Sequence, residues 1–199
     1  MLPWNVDGDI RAMIRTGTIA YELCRPVDLY SLWFARAVAW RTAPTLLRSI
    51  PMALFAIYGL PAIGFASWRL QTPAQGALPA FAASLLCTVL LSSAITTLMN
   101  ILLMWTISAD GMVVFTALIT VFSGLIVPLP LFPDWMQPLL RVLPFAGLAD
   151  LPYRIYLGTI APASLPGVLA LQLGWTALFV ALGRFILPRG LNQIAIQGG

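Results

Sequence analysis

The chain has 199 residues, 60% of them hydrophobic and only 9% charged, with a mean hydropathy of +0.89; a soluble domain carries about 25% charged residues. This composition excludes a chain built around a water-soluble domain and predicts one polytopic membrane domain. The net charge of +4 comes from arginine alone, with neither lysine nor histidine in the chain, so the basic residues read as topology signals and lipid-headgroup contacts, not as a nucleic-acid surface.

Residues 1–48 are expected to lie outside the hydrocarbon layer. Met1 to Asp9 lacks the basic-then-apolar pattern of a cleaved signal. Asp7 is placed to cap a short helix whose Ile10, Met13 and Ile14 share one face and which ends at Gly17. Arg25-Pro26 breaks the chain. A second helix starts near Asp28, with Leu29, Leu32, Trp33, Trp40 and Leu47 along one side and Arg41 and Arg48 on another, as expected of a helix lying at the interface. Arg36 falls on its apolar side and is expected to reach the headgroups.

The charge-free intervals predict four spans, at about 49–68, 78–107, 111–132 and 165–183, each near or above the roughly 20 residues a crossing needs. The second is long enough to tilt. Between the third and fourth lie Pro128, Pro130, Pro133, Pro138, Pro144, Pro152 and Pro162 among bulky apolar residues. That pattern predicts two short helices, about 134–142 and 150–157, the first capped by Asp134 and both dipping into the outer leaflet under cover of protein. The fold class is therefore all-α: an integral membrane helical bundle with four predicted spans, a membrane domain over 49–188 and a tail over 189–199. Only Arg69, Arg141 and Arg154 fall on one side of this topology and the other eight arginines on the opposite side. Both termini are thus expected to be cytoplasmic.

Catalytic chemistry is poorly served. Without histidine the commonest base and metal ligand is missing. The seven acidic residues sit at or beyond predicted span ends, so none resembles a buried proton relay. A phosphate-cradling GxxxxGK[S/T] loop needs a lysine, so any ATP used must be bound by another chain, and no cofactor is expected on this one. Cys24 and Cys87 fall at different depths and are not expected to pair.

Two polar stripes stand out in the apolar spans, one with Ser93, Thr96, Thr97 and Asn100, the other with Thr116, Thr120 and Ser123. Ser93, Thr97, Asn100, Thr116, Thr120 and Ser123 are candidates to line a path through the membrane. Most such residues serve helix packing, which leaves Asn100 the strongest candidate for more. Ala62 with Ala66 and Ala80 with Ser84 form small-xxx-small pairs, and Trp68, Trp105 and Trp135 read as interface anchors.

Two stretches carry a resemblance. One runs from Asp9-Ile10-Arg11 through Gly17-Thr18-Ile19-Ala20-Tyr21-Glu22-Leu23-Cys24-Arg25-Pro26 to Tyr30; the other runs from Ser123-Gly124 through Pro128-Leu129-Pro130-Leu131-Phe132-Pro133-Asp134-Trp135, with Leu143-Pro144-Phe145 and Leu151-Pro152-Tyr153 after it. Together they resemble the type-2 ABC transporter permease family, in its branch of small multidrug-like exporters. The resemblance implies that residues 10–30 form a cytoplasmic coupling element docking on a separate nucleotide-binding ATPase subunit, with Arg15, Gly17, Glu22, Leu23, Arg25 and Pro26 as coupling residues. It also implies that the proline-rich segment caps the translocation path on the outer side, with Pro128, Pro130, Pro133, Asp134, Pro144 and Phe145 at an outer gate.

The further implications are a second permease subunit, identical or different, ATP supplied through the ATPase partner, and residence in the bacterial cytoplasmic (inner) membrane. Family members usually have six spans and this sequence starts where their second has ended, so the first two spans are expected to be missing. That keeps a second reading open, a membrane assembly or anchoring subunit that does not transport.

Overall fold

The computed structural model describes residues 5–70, 73, 76–106 and 110–197. Residues 1–4, the predicted end of the second span at 107 and the last two residues of the tail lie outside them. Among the described residues every regular element is a helix and no strand is present.

Helix α1 (Gly8–Thr16) starts where the Asp7 carboxylate accepts the backbone N–H groups of Asp9 at 2.9 Å and Ile10 at 3.4 Å, and it stops at Gly17, whose φ of 73° is left-handed. This is the predicted helix with its predicted caps. A five-residue α2 (Ile19–Leu23) follows. Helix α3 (Leu29–Leu54) is capped by Asp28, which accepts the Ser31 backbone N–H at 3.0 Å and its hydroxyl at 2.7 Å. Those two bonds hold the Asp28 carboxyl below its ordinary pKa.

Helix α3 does not end where an interfacial helix would hand over to a span. It runs on through a π-helical turn at Phe55–Gly59 into α4 (Leu60–Ala62), a single rod of 34 residues. Pro44 and Pro51 are tolerated inside α3, and Pro61 falls in the first turn of α4. The helix stops at Ala62, short of the expected 68, and Ala66–Trp68 forms a separate 3-10 turn.

Helix α5 (Ala77–Leu102) and helix α9 (Leu165–Gln197) are the other two helices long and apolar enough to cross a membrane. The third predicted span differs from expectation. Helix α6 (Asp110–Phe122) has 13 residues, about 20 Å at 1.5 Å per residue, and the chain turns at Gly124 with φ 82°. The interval 111–132 is thus a short helix followed by irregular backbone. Two short helices, α7 (Gln137–Val142) and α8 (Asp150–Tyr156), lie in the proline-rich segment. Asp134 does not cap the first of them, which begins after Met136; its carboxylate instead accepts the Gln137 side-chain N–H at 3.3 Å.

Helix α5 is the central element and packs against α9, α3 and α8. One apolar core joins Ile10, Ile19, Tyr30, Trp33, Ile101 and Leu187 at the end where the N-terminal helices sit. A second joins Leu91, Ile95, Met99, Ile119 and Leu148, and a third lies beneath the short helices around Leu129, Leu140 and Leu151. The packed face of α3 is Leu29, Tyr30, Trp33 and Ala37. Trp40 and Leu47, expected on that face, point outward at 61% and 77% exposure, as lipid-facing residues do.

Close helix approach depends on Gly183, where an added Cβ would stand 2.7 Å from the Tyr30 ring and 3.4 Å from Ile101, whereas one at Gly174 would meet nothing within 4 Å. Gly183→Ala is therefore expected to destabilise the bundle by about 1–3 kcal/mol, and Gly174→Ala to be neutral or mildly stabilising. Thermal midpoints of the detergent-solubilised protein check this; equal midpoints would contradict the tight α3–α9 contact.

Candidate functional site

The N-terminal helices are not loosely attached. The Asp7 backbone N–H donates to Asn100 Oδ1 at 3.0 Å, which ties the start of α1 to the end of α5. Arg36 of α3 reaches Asp7 with its Nε at 2.8 Å and Asp9 with its Nη2 at 2.6 Å. Arg36 thus pairs with two carboxylates instead of extending to the headgroups, and Asp7 and Asp9 do more than start a helix. On α2, the Glu22 carboxylate accepts the Trp33 indole N–H at 2.8 Å, and that indole is 1% exposed.

This bonding divides the predicted coupling residues. Glu22 is half-buried and turned inward as a strut onto α3, while Arg15, Gly17, Leu23, Arg25 and Pro26 are exposed. Tyr21 at 77% and Val27 at 54% extend the apolar part of that surface. The result is a small platform, apolar with arginines at its edge, fixed to α3 and α5 from below.

The six candidate path residues are all buried. Among the described residues, Ser93 Oγ, Thr97 Oγ1 and Asn100 Nδ2 have no hydrogen-bond partner. On α6, Thr120 donates to the Thr116 carbonyl at 2.7 Å and Ser123 to the Thr120 carbonyl at 3.0 Å, so these hydroxyls are turned back on their own helix. At the opposite end, Pro128, Pro130, Pro133 and Asp134 are exposed, Pro144 is buried and Phe145 is half-buried.

Three features escaped the sequence reading. Gln172 of α9, 1% exposed, donates to the Gly147 carbonyl at 2.8 Å and to Thr88 Oγ1 at 3.2 Å, and accepts the Ser84 hydroxyl at 3.1 Å. Thr88 adds its own bond to the Gly147 carbonyl at 2.9 Å. A Gln within the apolar first half of α9 was the available signal. Arg41 of α3 donates to Thr96 of α5. Asp150 is buried at the start of α8, its N–H bonded to the Ser123 carbonyl at 3.2 Å. Burial pushes its carboxyl above the ordinary range, with Arg154 pulling the other way.

Long apolar helices, with the N-terminal helices bonded to one end and the proline-rich segment to the other, fit a membrane protein, and the family model described as ABC-2 family transporter protein matches residues 7–198. The chain belongs to that family. No curated protein and no solved structure matches it. An ABC-2 chain is a multi-pass membrane protein of an ABC transporter, a permease-type subunit generally without catalysis of its own that works with an ATPase subunit.

Within this ABC-2 chain the Gln172 knot holds the proline-rich segment to α5 and α9. Gln172→Leu leaves the Gly147 carbonyl with Thr88 alone and Ser84 without its acceptor, an expected cost of about 1–3 kcal/mol. The thermal midpoint should fall, and limited proteolysis should open the chain near residues 143–149. An unchanged cleavage pattern would mean that the segment is held elsewhere.

Proposed function

We propose that this chain is the permease subunit of an ATP-driven exporter of the bacterial cytoplasmic membrane, with both termini cytoplasmic. A separate ATPase subunit docks on the exposed surface of α1, α2 and the turn before Asp28. The observation that carries this reading is the platform itself: Leu23, Arg25 and Pro26 are exposed, while Glu22, Asp7 and Asp9 tie the same few residues to Trp33, Arg36 and Asn100. A displacement of the platform is passed to α3 through Glu22–Trp33 and the Arg36 pairs, and to α5 through Asp7–Asn100. ATP stays on the partner; this chain supplies motion.

In a pair of permease subunits the stripe of Ser93, Thr97 and Asn100 on α5, with Thr116, Thr120 and Ser123 on α6, lines the path. The segment with Pro128, Pro130, Pro133, Asp134, Pro144 and Phe145 closes it on the outer side. The unpartnered hydroxyls of Ser93 and Thr97 support this, since a buried polar atom that no neighbour satisfies is one a passing ligand can use.

The test separates docking from transmission. Leu23→Asp with Arg25→Glu should abolish co-purification of the ATPase and lower vesicle efflux at least tenfold while membrane insertion is unchanged. Glu22→Gln, which weakens the bond to Trp33, should keep the ATPase bound and lower efflux per ATP hydrolysed. Wild-type coupling in the double variant would overturn the docking surface. A stable complex with ATPase activity but no efflux from the wild-type protein would favour a non-transporting assembly subunit.

A further inference from the structure

Arg41 is a charged side chain in a membrane-crossing rod with no opposite charge beside it. Its Nη1 donates to the Ala37 carbonyl of its own helix at 2.8 Å and its Nη2 donates to the Thr96 hydroxyl, while its buried Nε has no partner. Among the described residues no carboxylate lies within ion-pair distance of it, although Arg36, five positions earlier on the same helix, has two. A desolvated guanidinium held only by neutral acceptors keeps its full charge and further N–H donors for a ligand. Unpaired intramembrane charge is retained where it binds something.

Its position says what can reach it. Arg41 continues the packed face of α3 one turn beyond Ala37, the last buried residue of that helix. Past Arg41 the rod leaves the bundle, and the most hydrophobic stretch of the rod has no buried residue. Arg41 is itself half-buried, so part of its side chain reaches the surface where the packed face of α3 ends. From Arg41 to Ala62 the rod rises about 32 Å at 1.5 Å per residue, close to the roughly 30 Å of a hydrocarbon layer. With that stretch in the layer, Arg41 lies at the depth of lipid phosphates. Arg48, two turns on along the same face and exposed, has a side chain long enough to extend back toward the same headgroup level.

We propose that Arg41, with Thr96 behind it, is a binding site for a phosphate-type oxyanion, entered laterally between α3 and α5. Two sources share that chemistry, the headgroup of an anionic phospholipid and free phosphate. Neither depends on the exporter reading, because the site is complete in this chain without an ATPase.

The test uses the purified full chain and native mass spectrometry, with dioctanoyl phosphatidylglycerol, uncharged dioctanoylglycerol and inorganic phosphate as probes. Wild-type protein should retain the phosphatidylglycerol and not the dioctanoylglycerol, Arg41→Gln should weaken retention by about tenfold or more, and Arg41→Lys by only a few-fold. Displacement by millimolar phosphate assigns the site to free oxyanions; resistance to it assigns the site to the headgroup. Equal retention by wild type and Arg41→Gln, or equal retention of the uncharged lipid, overturns the proposal.

Should Arg41→Gln fail to fold, butanedione modification of Arg41 in the wild-type chain, mapped by peptide mass, decides the matter. Phosphatidylglycerol or phosphate should slow it several-fold, and no protection by either would refute the site.

Discussion

In hydrocarbon, a polar group without a partner costs several kcal/mol because no water is there to replace it. In this chain that constraint falls on α5, whose polar residues Ser84, Thr88, Ser92, Thr96 and Asn100 recur every fourth position and form one slowly winding stripe. Four of them bond a different element each. Ser84 meets Gln172 of α9, Thr88 meets the Gly147 carbonyl of the proline-rich segment, Thr96 meets Arg41 of α3, and Asn100 meets the backbone of Asp7 ahead of α1. Ser92 turns back to its own helix. The apolar cores supply close packing, but apolar contacts do not favour protein over lipid in the way they favour it over water. The ladder on α5 decides which neighbours lie where.

The same helix carries a second stripe that is left unsatisfied. Ser93 and Thr97 are each one position on from a ladder residue, about 100° around the helix, and their hydroxyls bond nothing. One side of α5 is thus bonded to its neighbours, while the adjacent side carries buried hydroxyls with no partner among the described residues. The Asn100 side chain joins the two stripes: its oxygen holds Asp7 and its amide nitrogen is free. An element that moves Asp7 acts on the residue where structural and reserve stripes meet.

Charge is handled differently at each arginine of α3. Arg36 has two carboxylates and locks the platform. Arg41 has neutral partners and is half-buried. Arg48 is exposed. Along one helix the arginines pass from structural pairing to availability as the rod leaves the protein and enters lipid.

The membrane class, the all-helical fold, the Asp7 and Asp28 starts of α1 and α3, the Gly17 stop and the short helix at Asp150 were legible in the sequence, because each depends on composition or on residues within a turn of one another. The candidate platform was legible as a stretch, through its resemblance, but the inward turn of Glu22 was not, since Trp33 lies eleven positions away. Arg36 was misread for the same reason: the aspartates that neutralise it are 29 and 27 positions upstream. Gln172 and Ser84 are 88 positions apart, and neither has a local pattern that announces the other. The continuity of the rod from Leu29 to Ala62 was not legible, because charge-free length marks what lipid can accept, whereas helix continuity depends on backbone bonds that proline only locally interrupts. Local chemistry set the elements; which polar group satisfies which, and which is left free, was decided by tertiary contact alone, because only there do distant residues share a space without water.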